Sequence, residues 1–207
     1  MQLHKLDVVA KAVAILDNYG IADLTMRRLA RELDVTPGAL YWHFANKQEL
    51  LGAVADHLLG PACAHITTTG WRQRIEVVCV RLREALLSHT DGAELVSASF
   101  AAGQSRAVEH ILGMLADAAG EAGVDASHRT QAARTVLHYV LGATADEQSR
   151  LQWEAAGAAV PATLSVSALP ERQSVLAVDP SAGFAFGLRL LTDGLAAQRA
   201  VSEGALS

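Results

Sequence analysis

The sequence of 207 residues predicts an all-α protein, and three observations support that fold class. Its hydrophobic content of 51% comes mainly from Ala, Leu and Val, a mixture that suits helices better than sheets, while aromatic residues make up only 5%. Apolar residues recur at spacings of three and four along most of the chain, as they do on one face of a helix. No stretch of useful length alternates between apolar and polar residues, as a half-buried strand does.

The first helix is predicted from one apolar stripe and a glycine that follows it. The stripe consists of Leu6, Val9, Val13 and Leu16. Gly20 comes next, at the position where a C-cap glycine is expected to end the helix.

A second short helix follows a connector over 21–24. Thr25 is placed to cap this helix, which is expected to run to about Leu33. Asp34 and Val35 then form a tight turn, because Asp is among the few side chains that tolerate a left-handed backbone.

Two more helices are predicted before residue 60. Thr36 caps the first of them, Pro37 suits its first position, and the helix is expected to run about two turns to Phe44. The second opens at Asn46, with Glu49 three residues later in a capping-box arrangement.

Four further apolar stripes at helical spacing each predict one long helix in the rest of the chain. In chain order they are Ile75, Val78, Leu82 and Leu86; Val108, Ile111, Leu112 and Leu115; Val136, Val140 and Ala143; and Phe184, Leu188, Leu191 and Leu195. Asp179 and Pro180 suit the N-cap and first position of the last helix. Residues 154–175 contain Pro161 and Pro170 and break the pattern, so a mobile connection with one short helical turn is expected there.

Composition limits the class of protein. The high apolar content and the charged fraction of 19% exclude a disordered chain. No uncharged apolar run reaches the roughly 18 to 20 residues of a membrane span, and the N-terminus lacks the apolar core of a secretory signal. Cys63 and Cys79 make neither a disulfide scaffold nor a zinc site by themselves. A reduced, cytoplasmic protein is therefore expected.

The net charge of −5 is unevenly distributed. Taken alone, an acidic balance argues against nucleic acid as a partner. Residues 1–47, however, hold six Lys and Arg against five Asp and Glu, a balance of +1 that leaves −6 for the remainder. A nearly neutral N-terminal region is thus joined to an acidic body.

Two short helices joined by a tight turn are the geometry of a helix-turn-helix. Gly38 and Ala39 are small enough to let the N-terminal end of the second helix enter a major groove. Arg27 can approach guanine or the DNA backbone, and Lys47 adds a cation at a helix N-terminus that already favours anions. The candidate DNA-binding residues are Thr25, Arg27, Thr36, Pro37, Gly38, Ala39, Tyr41, Trp42, His43 and Lys47.

The segment over 24–51, LTMRRLARELDVTPGALYWHFANKQELL, resembles the DNA-binding domain of the tetracycline-repressor (TetR) family. The block LYWHF, followed by NK and then ELL, carries most of that resemblance. The likeness continues in ALLSHTDGA over 85–93, in LG and DEQ within 141–148, and in FAFGLRLL over 184–191. It therefore spans nearly the whole chain.

The resemblance implies a homodimeric repressor that leaves a palindromic operator when a small molecule binds its C-terminal domain. Two recognition helices must lie about 34–36 Å apart to enter successive major grooves, so a ligand that favours another spacing releases the DNA. The implied domains are a helix-turn-helix domain over 1–46, a connecting helix over 47–70 and a ligand-binding and dimerisation domain over 71–207. By analogy, 127–151 and 180–199 are the dimerisation helices. The glycines expected to allow their close approach are Gly142, Gly183, Gly187 and Gly194.

The drug-binding side chains of the tetracycline-binding members are not kept. Alignment puts Cys63 and Val96 at the positions of their two histidines, the second of which ligates magnesium. It puts Val78 at the position of the asparagine and Leu82 at that of the phenylalanine. A magnesium–tetracycline inducer is therefore not expected, no metal or other cofactor is predicted, and an apolar or amphipathic effector suits the cavity better. The candidate pocket residues are Cys63, Val78, Leu82, Val96, Phe100 and Asp146, and the apolar ones suit a helical core equally well.

Other interpretations stay open at this point. Tyr41, Trp42 and His43 also suit the packing of a small helical domain, and Trp42 is expected to lie partly in the core. Arg28 and Arg31 are expected on a solvated face. The motifs of hydrolases, nucleotide-binding enzymes and zinc proteases are absent, so the protein is not expected to be an enzyme. The alternatives are a DNA-binding regulator without a small-molecule inducer and a helical ligand-binding enzyme.

Overall fold

A computed structural model describes residues 3–67, 70–157 and 180–204, and these ranges contain helices and turns but no strand. The all-α prediction is confirmed. In chain order the helices are α1 Lys5–Tyr19, α2 Met26–Glu32, α3 Pro37–Tyr41, α4 Lys47–Leu59, α5 Trp71–Leu87, α6 Gly92–Ala102, α7 Arg106–Glu121, α8 Arg129–Ala155 and α9 Pro180–Gly204.

Helices α1 to α4 form a small unit, called the head below. Helix α1 packs on α2 and α4, and it ends at Gly20, whose φ of 78° is open to glycine without strain. The predicted stripe is right at Val9 and Leu16, which are buried, but wrong at Leu6, which is 79% exposed. Val8, Ala12 and Ile15 complete the buried face, because the helix turns a slightly different side to α4 than the chosen spacing implied.

Local capping sets the start of the next helices much as predicted. The Thr25 hydroxyl accepts a hydrogen bond from the Arg28 N–H at 3.1 Å, which caps α2. Asp34 has a φ of 54°, the left-handed conformation that ends this helix. The Asn46 side chain accepts from the Glu49 N–H at 2.8 Å and caps α4.

Helix α3 is shorter than predicted. It ends at Tyr41 instead of continuing to Phe44. The reason lies in the two side chains that anchor it: Leu40 and Phe44 both fill the core of the head, and the chain turns after Tyr41 to bring Phe44 inward. The turn also places Asn46 in the extended backbone that an N-cap needs.

Helices α5 to α9 form the body. The four predicted stripes supply its core, and Ile75, Val78, Leu82 and Leu86 are all fully buried. Within 47–70, helix α4 ends at Leu59 and a 3₁₀ turn follows over Gly60–Cys63. The division into domains at residues 46 and 70 stays a prediction.

One predicted glycine does bring two helices close together. A Cβ on Gly187 of α9 would lie 2.2 Å from Tyr139 Oη of α8, and this hydroxyl donates to the Phe184 carbonyl at 2.8 Å. At Gly142 and Gly194 an added Cβ would meet no atom of the described protomer within 4 Å. Close packing inside the protomer therefore explains Gly187 alone of these three.

The predicted connection over 154–175 and the predicted N-cap Asp179 lie mostly outside the described residues. Helix α8 continues to Ala155, so the first two residues of that connection are helical, and Pro180 begins α9 as expected. Among the described helices, none is long and apolar enough to cross a membrane.

Candidate nucleic-acid interface and ligand cleft

The outer side of α3 presents an unusual set of exposed groups. Trp42 is 91% exposed and Tyr41 about half exposed, so the expectation that Trp42 lies partly in the core is wrong. Because Leu40 and Phe44 occupy the core, Trp42, which lies midway between them in sequence, points to the opposite side. A large aromatic side chain left in water at a helix end is typical of a surface that contacts a partner.

The start of α3 leaves polar groups free for a partner. Thr36 occupies the N-cap position, but its hydroxyl makes no capping hydrogen bond. Thr36, Pro37 and Gly38 are exposed and Ala39 is half-buried, so no bulky side chain surrounds the first turn. These residues, together with Tyr41, Trp42 and His43, are brought to one edge of the head.

Two neighbouring arginines of α2 have different roles. Arg27 is exposed and forms no ion pair within the described parts of the chain. Arg28 instead stacks its guanidinium 3.7 Å above the Tyr19 ring and pairs with Asp23, so its assignment to a solvated face is wrong. These two contacts of Arg28 hold α2 against the end of α1. Arg27 and Arg31, by contrast, are both exposed to solvent.

The corner between α3 and α4 is held from two sides. The Glu49 carboxylate accepts from the Ala45 N–H at 2.8 Å, and the Lys5 ammonium lies 3.2 Å from its other oxygen and 4.9 Å above the Phe44 ring. The Ala45 hydrogen bond, and then Lys5, lower the pKa of Glu49. Lys47, the first residue of α4, lies at the helix N-terminus as expected.

The turn between α5 and α6, residues 88–91, connects the head to the body. Asp91 adopts a left-handed backbone with a φ of 53°. Its carboxylate accepts from the Ile21 N–H of the head at 2.9 Å and from the Gln152 side chain of α8 at 2.6 Å. Gly20 is needed beside it, because a Cβ there would lie 2.6 Å from an oxygen of Asp91. We call this turn the α5–α6 corner.

Two further side chains fix the α5–α6 corner. The buried amide of Gln148 on α8 accepts from the Ala93 N–H at 3.0 Å and donates to the carbonyls of Leu86 and His89 at 3.0 and 2.7 Å. Asp17 of α1 faces the His89 ring nitrogen at 3.0 Å. The corner is therefore bonded to both α1 and α8.

A second connection joins α4 to the turn between α6 and α7. A Cβ on Gly52 would lie 2.2 Å from the Gln104 carbonyl oxygen, so only glycine permits this approach. The Asp56 carboxylate accepts from the Ser105 hydroxyl at 2.6 Å and from the Ala107 N–H at 2.9 Å. The helix that carries the α3–α4 corner is thus fixed to the body at the end of α6.

A cleft of about 560 Å³ opens between the end of α6 and the middle of α8. Phe100 forms one wall, and Arg134 and His138 of α8 form the other, with Leu141 beside them. The Arg134 guanidinium lies 4.9 Å from the centre of the Phe100 ring, and the His138 ring lies 5.6 Å from it. We call this the α6–α8 cleft.

The predicted pocket residues do not meet in this cleft. Phe100 lines it, whereas Val78, Leu82 and Val96 are fully buried in the core of the body. Cys63 lies in a separate cleft of about 350 Å³ near His110 and Asp117. Asp146 is exposed, and the described residues contain no cluster of three side chains fit to hold a metal.

Neither cysteine is a reactive thiolate. Burial, and to a smaller extent Asp56, raise the pKa of the half-buried Cys63 thiol. Burial, helped by Glu76, raises the pKa of Cys79 much further. Both thiols are therefore protonated near neutral pH and behave as packing groups.

Sequence reasoning missed Arg134 and His138 as cleft residues. They lie four residues apart on α8, a spacing that places both on one face of a helix, and this is the signal that was available. Their position opposite Phe100 depends on how α6 packs on α8, which no local pattern encodes.

Comparison with known protein families covers both parts of the chain. Residues 8–54 match the family described as "Bacterial regulatory proteins, tetR family", and residues 66–199 match the one described as "Tetracyclin repressor-like, C-terminal domain". The class C tetracycline repressor protein of Escherichia coli is 32% identical over 207 aligned residues, which cover 96% of this chain and 93% of the repressor.

Solved structures give the same result. BioQ of Mycobacterium smegmatis is 60% identical and superposes with a TM-score of 0.84 over 95% of this chain and 99% of BioQ. A structure of BioQ with its natural double-stranded DNA operator is 58% identical over the same shares, with a TM-score of 0.79. A variant of TetR from Acinetobacter baumannii AYE in complex with minocycline is 28% identical, with a TM-score of 0.68 over 96% of this chain and 99% of that protein.

Proposed function

The chain belongs to the TetR family of bacterial regulatory proteins. From that premise we propose which of its surfaces bind DNA, the second protomer and a small-molecule effector. Members of this family are DNA-binding transcriptional repressors that act as dimers and carry a ligand-binding C-terminal domain. They are regulators and not enzymes. The chain is accordingly a ligand-responsive repressor that leaves its operator when a small molecule binds the body. We propose no catalytic step, and we place its action in the cytoplasm, where operator DNA lies.

The single observation that carries the DNA-binding assignment is the exposed edge of α3. The relative BioQ binds a double-stranded DNA operator, and this chain is 58% identical to the protein in that complex. We assign base and sugar-phosphate contacts to the bare first turn at Gly38 and to the exposed rings of Tyr41 and Trp42. Thr25, Thr36, Pro37, Ala39 and His43 surround them and complete the surface.

Arg27 and Lys47 supply the cations of this surface. Arg27 is exposed on α2 and its planar guanidinium can bind guanine O6 and N7 in a bidentate manner. Lys47 lies at the N-terminus of α4, where free N–H groups and the helix dipole already attract a phosphate. With only a few cations available, affinity depends on placement and on the presence of two heads in a dimer.

The dimer face is assigned to α8 and α9. Phe186 and Leu190 lie one turn apart on α9 and are 56% and 58% exposed in the protomer. Leu151 and Trp153 add exposed apolar surface near the end of α8. Exposed apolar side chains of this size on two long helices are typical of an interface, and burying them stabilises a dimer by about 25 cal/mol per Å² removed from water.

The effector site is assigned to the α6–α8 cleft, which takes a small amphipathic molecule. The cleft ends at Gly103, and the next residue, Gln104, rests its carbonyl against Gly52 of α4. A ligand that shifts the end of α6 therefore moves α4 and the α3 edge attached to it. Cys63, Val78, Leu82, Val96 and Asp146 do not line this cleft, and their part in effector binding stays a prediction.

A mobility-shift titration tests the DNA-binding function. The full chain and DNA from the region upstream of its own coding sequence are expected to give a sequence-selective complex that weakens steeply with salt. The double variant Tyr41→Ala/Trp42→Ala is expected to abolish selectivity while the fold, followed by circular dichroism, stays intact. If the wild-type protein binds scrambled DNA as tightly as the upstream DNA at every salt concentration, the assignment is wrong.

The alternative, a regulator without a small-molecule inducer, makes a different prediction. In that case a library of amphipathic compounds would leave both the thermal midpoint and the DNA complex unchanged. A compound that binds the folded body raises the midpoint by mass action and, if it is an effector, also releases the DNA.

A further inference from the structure

The charge of the α6–α8 cleft is opposite to that of the chain as a whole. The chain carries a net charge of −5, yet no Asp or Glu is among the described residues that line this cleft. The lining instead contains the guanidinium of Arg134 and the imidazole of His138, both on the α8 wall. The cleft therefore has a basic, hydrogen-bond-donating lining, although the body as a whole is acidic.

Arg134 has no carboxylate partner among the described residues, unlike three arginines of α5. Arg72, Arg74 and Arg83 each pair with a carboxylate, at N–O distances of 2.8, 2.7 and 2.7 Å. Within the described parts of the chain, Arg134 forms no such pair. The guanidinium of Arg134 instead lies over the face of Phe100, and this contact orients its plane without using its five N–H donors.

The shape of the cleft separates polar from apolar contacts. Phe100 and Leu141 provide an aromatic face and an aliphatic side chain, while Arg134 and His138 lie one helical turn apart on the other wall. A guanidinium oriented by stacking is suited to bind a carboxylate or a similar oxyanion through two parallel hydrogen bonds. A ligand with an apolar body and a single anionic group satisfies both walls at once.

We propose that the effector of this regulator is an amphipathic organic anion, whose oxyanion binds Arg134 and His138 and whose apolar body packs against Phe100. The proposal rests on the ligand-controlled repression proposed above and names the chemical class of the ligand. A neutral molecule of the same shape leaves the guanidinium without a counter-charge and binds more weakly. The anion also bridges α8 to the end of α6, the element that contacts α4.

A matched pair of fluorescent probes tests the anion preference. 8-Anilinonaphthalene-1-sulfonate carries a sulfonate, and N-phenyl-1-naphthylamine has the same aromatic skeleton without it. The wild-type dimer is expected to bind the sulfonate saturably at one site per protomer, at least about tenfold more tightly than the neutral probe. Equal affinity of the two probes would overturn the proposal.

Three variants locate the bound sulfonate. Arg134→Gln is expected to weaken sulfonate binding about tenfold and leave the neutral probe within about twofold. His138→Gln is expected to have a smaller effect in the same direction. Arg150→Gln removes the same charge from the same helix outside the cleft lining and is the control, with binding unchanged. If Arg134→Gln and Arg150→Gln behave alike, the anion does not bind in this cleft and the proposal is wrong.

The same samples separate this proposal from the regulatory one. Operator affinity without any probe is expected to be equal in the wild-type protein and Arg134→Gln, because the cleft lies in the body. If the wild-type protein fails to bind operator DNA, the regulatory function is wrong while the sulfonate titration still decides the anion preference. Release of DNA by the sulfonate in the wild-type protein, but not in Arg134→Gln at the same concentration, supports both.

Discussion

The substitution Gly52→Ala isolates the contact between α4 and the α6–α7 turn. In an exposed helix interior, replacing Gly by Ala stabilises a protein by up to about 1 kcal/mol, because Ala has the higher helix propensity. At Gly52 the added Cβ would lie 2.2 Å from the Gln104 carbonyl oxygen and 2.8 Å from its carbonyl carbon. Backbone atoms cannot rotate away, so α4 must move by roughly 1 Å to reach ordinary van der Waals contact.

The expected magnitude follows from these two opposing effects. Overpacking of this kind costs about 1–3 kcal/mol, which exceeds the gain in helix propensity. We expect Gly52→Ala to lower the free energy of unfolding by about 1–2 kcal/mol, equivalent to about 2–8 °C in thermal midpoint for a chain of this size. Operator affinity is expected to fall as well, because α4 carries the corner from which α3 projects.

Gly113→Ala provides a matched control. Gly113 lies inside α7, and a Cβ there would meet no atom of the described residues within 4 Å, so this variant is expected to be as stable as the wild-type protein or more stable. Urea denaturation of both variants at one protein concentration, together with a DNA titration, measures the contrast. If Gly52→Ala matched Gly113→Ala in stability and bound the operator normally, the inference that α4 is held at Gln104 would be refuted.

The remaining predictions concern four other residues of the molecule. Gln148→Ala leaves three backbone groups of the α5–α6 corner without their partner and is expected to cost about 2–4 kcal/mol in urea denaturation, whereas the exposed Gln131→Ala on the same helix stays within about 0.5 kcal/mol. Arg27→Ala is expected to weaken operator binding by about 1–3 kcal/mol and relax base preference, and an unchanged preference in a binding-site selection would restrict Arg27 to the DNA backbone. Lys47→Ala is expected to weaken all DNA alike and lower the salt slope by about one unit, so an unaltered slope removes it from the phosphate contacts. Because its pKa is raised, the Cys79 thiol is expected to resist iodoacetamide at pH 7 until the protein unfolds, and fast alkylation of the native protein would contradict its burial.

Local features of the fold were predictable from the sequence. The caps at Thr25 and Asn46, the left-handed Asp34 and the C-cap Gly20 depend on the hydrogen bonds and backbone preferences of a few neighbouring residues. Long apolar stripes were equally reliable, because a helix of four or five turns has only one face that can be buried. The stripe of α1 failed at its first member, Leu6, since the helix turns the side that carries Val8, Ala12 and Ile15 to the core.

Features that depend on packing between distant segments were not predictable. The exposure of Trp42 follows from the choice of Leu40 and Phe44 as core residues, and any of the three is apolar enough to be chosen. The stacking of Arg28 on Tyr19 requires α1 and α2 to be oriented first. In the same way, the α6–α8 cleft depends on how two helices pack across each other. The sequence shows only that Arg134 and His138 are four residues apart, and not that they face Phe100.

The α5–α6 corner has a consequence for recombination between related regulators. Asp91 accepts from a backbone N–H of the head, and it lies against Gly20, the only residue type that fits beside its carboxylate. In a chimera that joins the head of one relative to the body of another, the contact at this corner therefore forms only under two conditions. The head must have a glycine at the end of its first helix and a carboxylate at the position of Asp17. A head that lacks either residue can be joined to the body as a continuous chain, but it does not form the contacts of the α5–α6 corner. The corner therefore restricts which heads and bodies can be combined.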